Sequence, residues 1–359
     1  MSEYRAGGGQ ADDEHDEHDE VDDEVDPDVL AAASRAGEEV DPGDQDVDDA
    51  PDPDLASDFS RARDSRASQQ ESSPGPASLA DILGGRVPVL VVHKSHRHSQ
   101  HLPEVLGVAR RQVGGSAGLG VAVGLSKKSA PEVATYLASC SSAALKIADP
   151  EIHTIPGTGS PALQPTKAVR NHAWMASVPS AVDLFWVDKV LTTQAEAGAD
   201  VFLSASGWVG DLNGRQQLAA AMAWVRASRQ VLGDESMFVN LTLSASWLTD
   251  PGLRSALKQE LTESNEPLWW LRFYWPIVEP RYGQLANGAL LAGYRDIATT
   301  AELEEKILIL PNSGLTGWIA TAWGAQGFST GTSWTEQMFG AQPIRRNSPG
   351  RTRPAPVER

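Results

Sequence analysis

The chain has 359 residues and a formal net charge of −18, from 48 acidic against 30 basic side chains. Residues 1–77 hold 25 of the acids and only 5 Arg, whereas residues 78–359 hold 23 acids and 25 bases. An acidic segment joined to a nearly neutral remainder lacks the basic surface that nucleic-acid binding requires. The single cysteine, Cys140, excludes an intrachain disulfide and a cysteine-rich metal site.

Residues 1–77 are predicted to be a disordered acidic tail. Asp and Glu dominate stretches such as 12–20, and proline interrupts the segment repeatedly. Such a sequence repels itself and has too little apolar surface to offset the entropy of ordering. A solvating role is the simpler expectation. The alternative is that the tail recruits a basic protein partner or binds divalent ions through His15 and His18.

The rest of the chain alternates strand-like and helix-like segments. Eight short apolar segments bounded by turn residues are predicted as strands, at 88–92, 119–125, 143–148, 200–205, 237–243, 268–274, 306–310 and 325–328. Helical spacing of apolar residues is clearest at 181–197, 216–232, 250–261 and 283–305. Eight such repeats favour closure of a parallel sheet into a single (β/α)8 barrel of the TIM type, an α/β fold over residues 78–342.

Two parts of the predicted barrel are irregular. Residues 150–180 form a proline-rich insertion after strand three, where a long loop would lie over the barrel mouth and could act as a lid. After strand eight only 334–339 has a helical pattern, so the last helix is predicted to be short or missing, followed by a polar tail at 343–359. No signal-like N-terminus and no long apolar segment is present, which predicts a cytoplasmic protein without a membrane partner.

Two glycine-bearing turns follow predicted strands seven and eight. The first turn opens directly into a short predicted helix, whose N-terminus would present unpaired N–H groups and a partial positive charge. Turns of small residues at such a position can hold a phosphate. The predicted phosphate ligands are Asn312, Ser313, Gly314, Gly317, Gly331 and Thr332. The alternative is that the glycines only make tight loops.

The segment 324–331, Gly-Ala-Gln-Gly-Phe-Ser-Thr-Gly, together with the turn at 312–317 resembles the phosphate-binding (β/α)8 barrels. That broad group includes FMN-dependent oxidoreductases and several enzymes of phosphorylated sugars. In those barrels a turn after strand seven and a Gly-Ala-x-Gly-x-x-x-Gly segment at strand eight share one phosphate. The resemblance covers about 25 residues and implies a phosphate site without implying one activity.

Side-chain alternation along the strands places polar groups inside the predicted barrel. In strand three, Leu145 and Ile147 are expected to face the helices, which points Lys146 inward, with Asp149 at the strand end. The polar residues expected to face inward from later strands are Ser204, Ser206, Asn240, Thr242, Arg272 and Tyr274. A nearby arginine would lower the pKa of Lys146 and favour a base or Schiff-base nucleophile, whereas Asp149 would oppose that shift. The alternative is a self-satisfied network of Lys146, Asp149 and Arg272.

Further ligand groups are predicted around the mouth. Trp208 and Trp275 lie just beyond strands, where exposed indoles could stack on a flat ligand or, alternatively, pack the inserted loop against the barrel. His93 opens a histidine-rich run after strand one that resembles the metal-binding start of amidohydrolase barrels. No histidine follows strands five or six, and Lys94 and Arg97 would repel a cation. We therefore predict that the basic loop beginning at His93 contacts an anionic ligand or, alternatively, is merely solvated, and we predict no metal site.

Three functions stay open on the sequence alone. The first is an enzyme, either a lyase, an isomerase or a transferase, acting on a phosphorylated or nucleotide-like small molecule. Its predicted catalytic residues are Lys146 and Asp149 for acid/base or amine chemistry, with Asn240, Arg272 and Tyr274 around them. The second is an FMN-dependent oxidoreductase, and the third is a non-catalytic barrel that binds a partner. No carboxylates follow predicted strands four and seven, which disfavours a retaining glycosidase. Neither a nucleophile elbow nor a P-loop is present, which argues against a hydrolase triad and a P-loop NTPase.

Overall fold

The structure of the chain, a computed structural model, describes residues 75–94, 99–161, 171–276, 285, 287–331 and 339–340. Most of the acidic tail, all but the last residue of the predicted final helix, and the polar C-terminal tail lie outside these residues. The proposed domain boundaries near 77 and 342 therefore stay predictions.

Within the described residues, parallel strands alternate with helices in the predicted order. The strands are β1 (Val89–His93), β2 (Gly118–Gly124), β3 (Leu145–Asp149), β4 (Phe202–Leu203), β5 (Trp208–Val209), β6 (Met237–Ser244), β7 (Leu268–Tyr274), β8 (Ile307–Leu310) and β9 (Gly327–Thr330). The helices are α1 (Leu79–Leu83), α2 (Leu102–Val113), α3 (Ala130–Ser139), α4 (Leu184–Glu196), α5 (Gly214–Leu232), α6 (Ser246–Thr249), α7 (Pro251–Glu263), α8 (Gly288–Leu303) and α9 (Gly314–Thr321). β4 lies within the fourth predicted strand, at 200–205. β5 lies beyond that prediction but also pairs with β6, so the fourth strand of the barrel is interrupted.

The strands form a parallel sheet in the order β3-β2-β1-β9-β8-β7-β6-β4, with β5 also beside β6. The two ends of this order approach each other at the start of β4. There the Asp200 N–H donates to the Lys146 carbonyl at 3.0 Å, and the Lys146 N–H donates to the Asp200 carboxylate at 3.1 Å. The sheet is therefore a nearly closed barrel of eight strands, which confirms the predicted TIM-type α/β fold.

The N-terminal half of the barrel interior is apolar. Side chains from alternating strand positions meet there, namely Val89, Val91, Leu145, Ile147, Leu203, Phe238, Trp270 and Ile309. Ile82 of α1 joins this cluster, so the short first helix packs against the N-terminal end of the barrel. Strand β2 makes room for the large side chains, because a Cβ on its Gly120 would lie 3.0 Å from Val91 and 3.3 Å from the Leu145 Cβ.

The prediction that Lys146 points into the barrel is wrong. Its neighbours Leu145 and Ile147 occupy the interior cluster, so alternation turns the Lys146 side chain to the outside of β3. The error has a physical cause: the apolar face of a strand was expected to meet the helices, yet this barrel is filled with apolar groups as well. Asp149 is in phase with Leu145 and Ile147 and is buried at the end of β3.

The helices cover the sheet through two apolar clusters, one around α5, α7 and α8 and the other around α2, α3 and α4. The second half of the insertion belongs to the latter cluster. Trp174 Nε1 donates to the Thr193 hydroxyl at 3.0 Å, and Trp186 Nε1 donates to the Trp174 carbonyl at 2.9 Å. This part of the insertion therefore packs against α4, while residues 162–170 lie outside the described residues. None of the helices described is long and apolar enough to cross a bilayer.

Replacing Gly293 with alanine is expected to destabilise the fold. A Cβ at this position in α8 would overlap the Leu248 carbonyl and lie 2.7 Å from the Leu248 Cβ, because α8 packs directly on α6. Overpacking of this kind costs about 1–3 kcal/mol. Gly288→Ala is the matched control in the same helix, since nothing lies within 4 Å of its Cβ position. Chemical denaturation measures both variants, and equal stabilities would contradict the expectation.

Candidate functional site

A buried arginine lies at the centre of the C-terminal end of the barrel. Arg272 is 2% exposed and forms an ion pair with the Asp149 carboxylate. Its Nε donates to Asn312 Oδ1 at 2.8 Å, and its Nη1 lies 3.3 Å from the Thr242 hydroxyl and 3.2 Å from His153 Nδ1. One guanidinium therefore joins groups from β3, β6 and the turn after β8. Because an arginine can only donate, His153 Nδ1 accepts the hydrogen bond from Nη1.

The fold brings these groups together through strand register. Thr242 and Arg272 are direct partners on β6 and β7, and both face inward by alternation from the buried interior residues. Asp149 ends β3, and Asn312 follows β8 in a left-handed conformation with φ 53°. Because parallel strands end at the same side of a barrel, these residues converge as the sequence predicted for Asp149, Arg272 and Asn312.

Two carboxyl groups at the end of β3 are shifted in opposite directions. Burial alone would raise the pKa of Asp149, but the charge of Arg272 and an N–H bond of 2.8 Å from Glu151 lower it overall. Burial raises the pKa of Glu151, and the Asp149 charge raises it further, against a hydrogen bond from the Ser126 hydroxyl. Asp149 is therefore held ionised, while Glu151 binds its proton more tightly than an ordinary glutamate.

The backbone also distinguishes Glu151. Its φ of 48° lies in the left-handed region, which is uncommon for a residue with a side chain and often marks a functional site. The carboxyl group folds back over β2, where a Cβ on Gly124 would lie 2.6 Å from Glu151 Cδ. A glycine at that position is thus required for Glu151 to reach the barrel end.

Two neutral histidines complete the cluster. Burial lowers the pKa of His93 to about 4, with a further contribution from the Arg272 charge and an opposing one from Asp149. The same causes lower the pKa of His153 to about 3. Both imidazoles are therefore uncharged near neutral pH and can accept a hydrogen bond or a proton.

Acidification from pH 6.5 to about pH 4 is expected to destabilise the protein. Unfolded histidines, with pKa 6.5, take up protons in this range, whereas folded His93 and His153 do so only near pH 4 and pH 3. The unfolded state thus binds more protons than the folded state in this range, and the free energy of unfolding decreases as the pH is lowered. The raised pKa values of Glu151, Asp200 and Glu260 act in the opposite direction, whereas the lowered pKa of His172 adds to the loss. Denaturant titrations should show a smaller loss in His93→Gln, and an identical loss would contradict the assignment.

An aromatic ring covers this cluster at the mouth. The Phe339 ring lies 5.7 Å from the Arg272 guanidinium carbon and 5.0 Å from the His153 ring. Its backbone is fixed on both sides, because the Phe339 N–H donates to the Asn312 carbonyl at 2.9 Å and the Phe339 carbonyl accepts from the Trp275 N–H at 2.9 Å. The Phe339 ring thereby shields the side of Arg272 that faces the barrel mouth from solvent.

Tyr274 and Trp208 extend the aromatic surface. The Tyr274 ring meets the edges of Phe339 at 5.3 Å and Trp208 at 5.9 Å, and burial raises the pKa of the Tyr274 hydroxyl. Trp208 is half-buried and, with Trp224, lines a cavity of about 330 Å³ beside the insertion. Trp275 is only 6% exposed and packs in the cluster around α5, α7 and α8, so little of its indole is open for stacking on a ligand.

The first glycine turn is built around contacts to β9. The Asn312 N–H donates to the Ser329 hydroxyl at 2.6 Å, and the Ser313 N–H donates to the Ser329 carbonyl at 3.2 Å. Gly314 has φ 51°, and a Cβ on Gly317 would lie 2.6 Å from the Phe328 Cβ. Turn geometry and close packing thus account for both glycines, and phosphate binding there stays a prediction. Gly331 borders the undescribed segment 332–338, which contains Thr332.

Two residues that were predicted to face the barrel interior connect the interrupted fourth strand to β6. The Ser204 hydroxyl accepts from the Asn240 N–H at 2.9 Å, and the Ser206 hydroxyl donates to the Asn240 carbonyl at 2.6 Å. The two hydroxyls lie 2.7 Å apart. Ser204 and Ser206 therefore bond to β6 across the interruption between β4 and β5, and the fold itself uses both hydroxyls.

Three residues of the cluster were not predicted as site residues. Glu151 and His153 were included in the insertion, and Phe339 in the last helix. A signal for the first two exists, because Asp149, Glu151 and His153 alternate directly after strand three. Such spacing is typical of a strand that continues past its last paired residue.

The chain matches no protein-family model and no curated protein. Among the residues that the structure describes, no group of three or more His, Cys, Asp and Glu side chains is arranged to hold a metal ion.

Proposed function

We propose that the chain is an enzyme that performs acid/base chemistry on a small phosphorylated molecule at the C-terminal end of the barrel. The opposite pKa shifts of Asp149 and Glu151 beside Arg272 carry this proposal. Carboxyl pairs whose environments push their pKa values apart mark the acid and base of many active sites. Barrel enzymes place their chemistry at these strand ends.

Each charged group has a role that follows from its environment. Glu151, whose pKa is raised by burial and by the Asp149 charge, serves as the general acid, giving a proton to the substrate and recovering it at the end of turnover. Asp149 fixes the guanidinium of Arg272, which stabilises negative charge that develops on the substrate. The neutral imidazole of His153 faces the same guanidinium and keeps it oriented.

The start of α9 supports the phosphate part of the proposal. The first N–H groups of a helix have no acceptor within the helix and favour an anion. Asn312, which bonds Arg272, lies two residues before Gly314, the first residue of α9. A phosphate held there would place the remainder of a small molecule towards Arg272. The resemblance of 324–331 to phosphate-binding barrels supports the same substrate class.

The FMN-dependent alternative uses the same phosphate position and places Lys146 and Asn240 near the flavin ring. Lys146 faces away from the barrel interior, which removes one of these two residues.

A non-catalytic barrel that binds a partner is the second candidate. The observation that favours it is the extensive pairing of Arg272 with Asp149, Asn312, Thr242 and His153 beneath the ring of Phe339. A guanidinium so fully engaged stabilises a fold without any ligand.

Turnover separates the two candidates. The full chain is incubated with a panel of sugar phosphates and nucleotides and with their dephosphorylated counterparts, followed by chromatography and mass spectrometry. We expect consumption or isomerisation of a phosphorylated compound and none of its dephosphorylated counterpart. Equal consumption of both would overturn the phosphate assignment. No conversion of any compound would favour the non-catalytic barrel.

A further inference from the structure

Unpaired polar atoms are concentrated inside the barrel. Among the described residues, the buried side-chain atoms without a hydrogen-bond partner are His93 Nε2, Asn240 Oδ1, Ser244 Oγ and Trp270 Nε1. All belong to strands β1, β6 and β7. Native proteins pair nearly all buried polar atoms with protein groups or bound molecules. Their concentration in one place therefore points to a ligand.

Three of these atoms belong to neighbouring groups. Asn240 and Trp270 are direct partners in the register of β6 and β7, and they are 2% and 0% exposed. The His93 ring lies 6.4 Å from the Trp270 ring. Trp270 precedes Arg272 by two residues on the inward face of β7, so this group lies deeper in the barrel than the charged cluster.

The remaining bonds of Asn240 leave its oxygen to face something else. Its Nδ2 lies 3.4 Å from the Ser204 carbonyl and 3.4 Å from the Ser206 carbonyl, and its backbone is bonded to the same two serines. The amide group is thus oriented by its nitrogen, and Oδ1 remains an acceptor.

The three atoms define the chemistry of the ligand. An indole N–H only donates, an amide oxygen only accepts, and a neutral imidazole nitrogen does one or the other according to its tautomer. A phosphate or carboxylate oxygen has no proton for Asn240, and an ammonium group has no lone pair for Trp270. A hydroxyl oxygen has both.

We propose that the barrel interior binds a hydroxyl oxygen between Trp270, Asn240 and His93. The oxygen accepts from Trp270 Nε1 and donates to Asn240 Oδ1, with His93 Nε2 as a third partner. A water molecule or the hydroxyl group of a bound small molecule supplies this oxygen. The site goes beyond the proposed function, because it does not depend on turnover and differs in chemistry from the phosphate position.

Nuclear magnetic resonance of the indole groups tests the proposal. The full chain is labelled with 15N-tryptophan, and Trp270→Phe identifies the Trp270 Nε1–H signal among the eleven tryptophans. Trp269 is the matched control on the same strand, since its Nε1 donates to the Glu266 carbonyl at 2.9 Å. If water occupies the site, the Trp270 signal shows a cross-relaxation peak to long-lived water, Asn240→Leu removes that peak, and Trp269 shows none.

A second arm identifies a ligand hydroxyl. If the Trp270 signal shows no water peak but shifts when glycerol 3-phosphate is added, while the Trp269 signal does not, the oxygen comes from a small molecule. Absence of both the water peak and the shift would overturn the proposal. A water peak without turnover of any phosphorylated compound would uphold this site and refute the proposed function, so the two failures are distinguishable.

Discussion

Arg272→Met is expected to destabilise the fold by about 3–5 kcal/mol, the usual cost of removing one partner from a buried ion pair. The loss arises because Asp149, which is 1% exposed, would remain as an uncompensated buried charge. Asn312 Oδ1 would also lose its hydrogen bond from the guanidinium. The free energy of unfolding from denaturant titration at neutral pH measures the effect.

Two further variants make this test specific. Arg254→Met removes an arginine whose Nε lies 3.0 Å from Asp296 in a pair that is partly open to solvent, so its loss should be smaller. Arg272→Met combined with Asp149→Leu removes the stranded charge and should recover much of the stability. An Arg272→Met protein as stable as the Arg254 variant, or a double variant no better than Arg272→Met, would contradict the expectation.

Glu151→Gln is expected to lower the turnover number of the proposed reaction by about 10²–10⁴-fold, the usual contribution of general acid/base catalysis. The amide has nearly the same size as the carboxyl and keeps a partner for the Ser126 hydroxyl, so the fold should persist. Only the exchangeable proton is lost. Steady-state kinetics on a substrate found by metabolite profiling gives the measurement.

The pH profile distinguishes proton transfer from a structural effect. A general acid with a raised pKa gives a rate that falls as pH rises through that pKa, and Glu151→Gln should lack this limb. Glu263→Gln is the control, because Glu263 is exposed and accepts a hydrogen bond from Gln259 at 2.8 Å. A Glu151→Gln enzyme with the rate and pH profile of the control would refute the assignment.

The fold and half of the charged cluster could be predicted from the sequence. Eight apolar segments separated by helical patterns imply a barrel, because parallel strands need crossover helices. Once the barrel is assumed, all strand ends meet at one side, and this brings Asp149, Arg272 and Asn312 together without any knowledge of side-chain contacts. The structure shows Arg272 in direct contact with both Asp149 and Asn312.

The orientation of Lys146 was predicted wrongly because the helix-facing side of a strand and this barrel interior are both apolar. Leu145 and Ile147 could have faced either the helices or an apolar barrel interior, and the alternation pattern is identical in both cases. Only the small residues of β2 reveal that the interior has room for them. In the structure Leu145 and Ile147 face the interior, so Lys146 faces outward and lies away from the site.

Glu151 and His153 were missed for a different reason. Their positions depend on the left-handed conformation of Glu151 and on the short 3-10 helix Ile152–Thr154 that follows. Neither feature follows from hydrophobic periodicity, which describes regular strands and helices only. Candidate site residues in loops at strand ends are therefore missed by this kind of prediction.

The ion pair between Asp149 and Arg272 also has a consequence for how variation in this protein is interpreted. Asp149 lies on β3, which ends the sheet order, while Arg272 lies on β7 near the opposite end. The pair thus links the two halves of a sheet whose closure between β3 and β4 is otherwise slight. Under the proposed function, chemistry and barrel closure depend on the same two side chains. Loss of activity in a variant at either position would then report on folding as much as on catalysis, whereas Glu151→Gln tests the chemistry without breaking the ion pair.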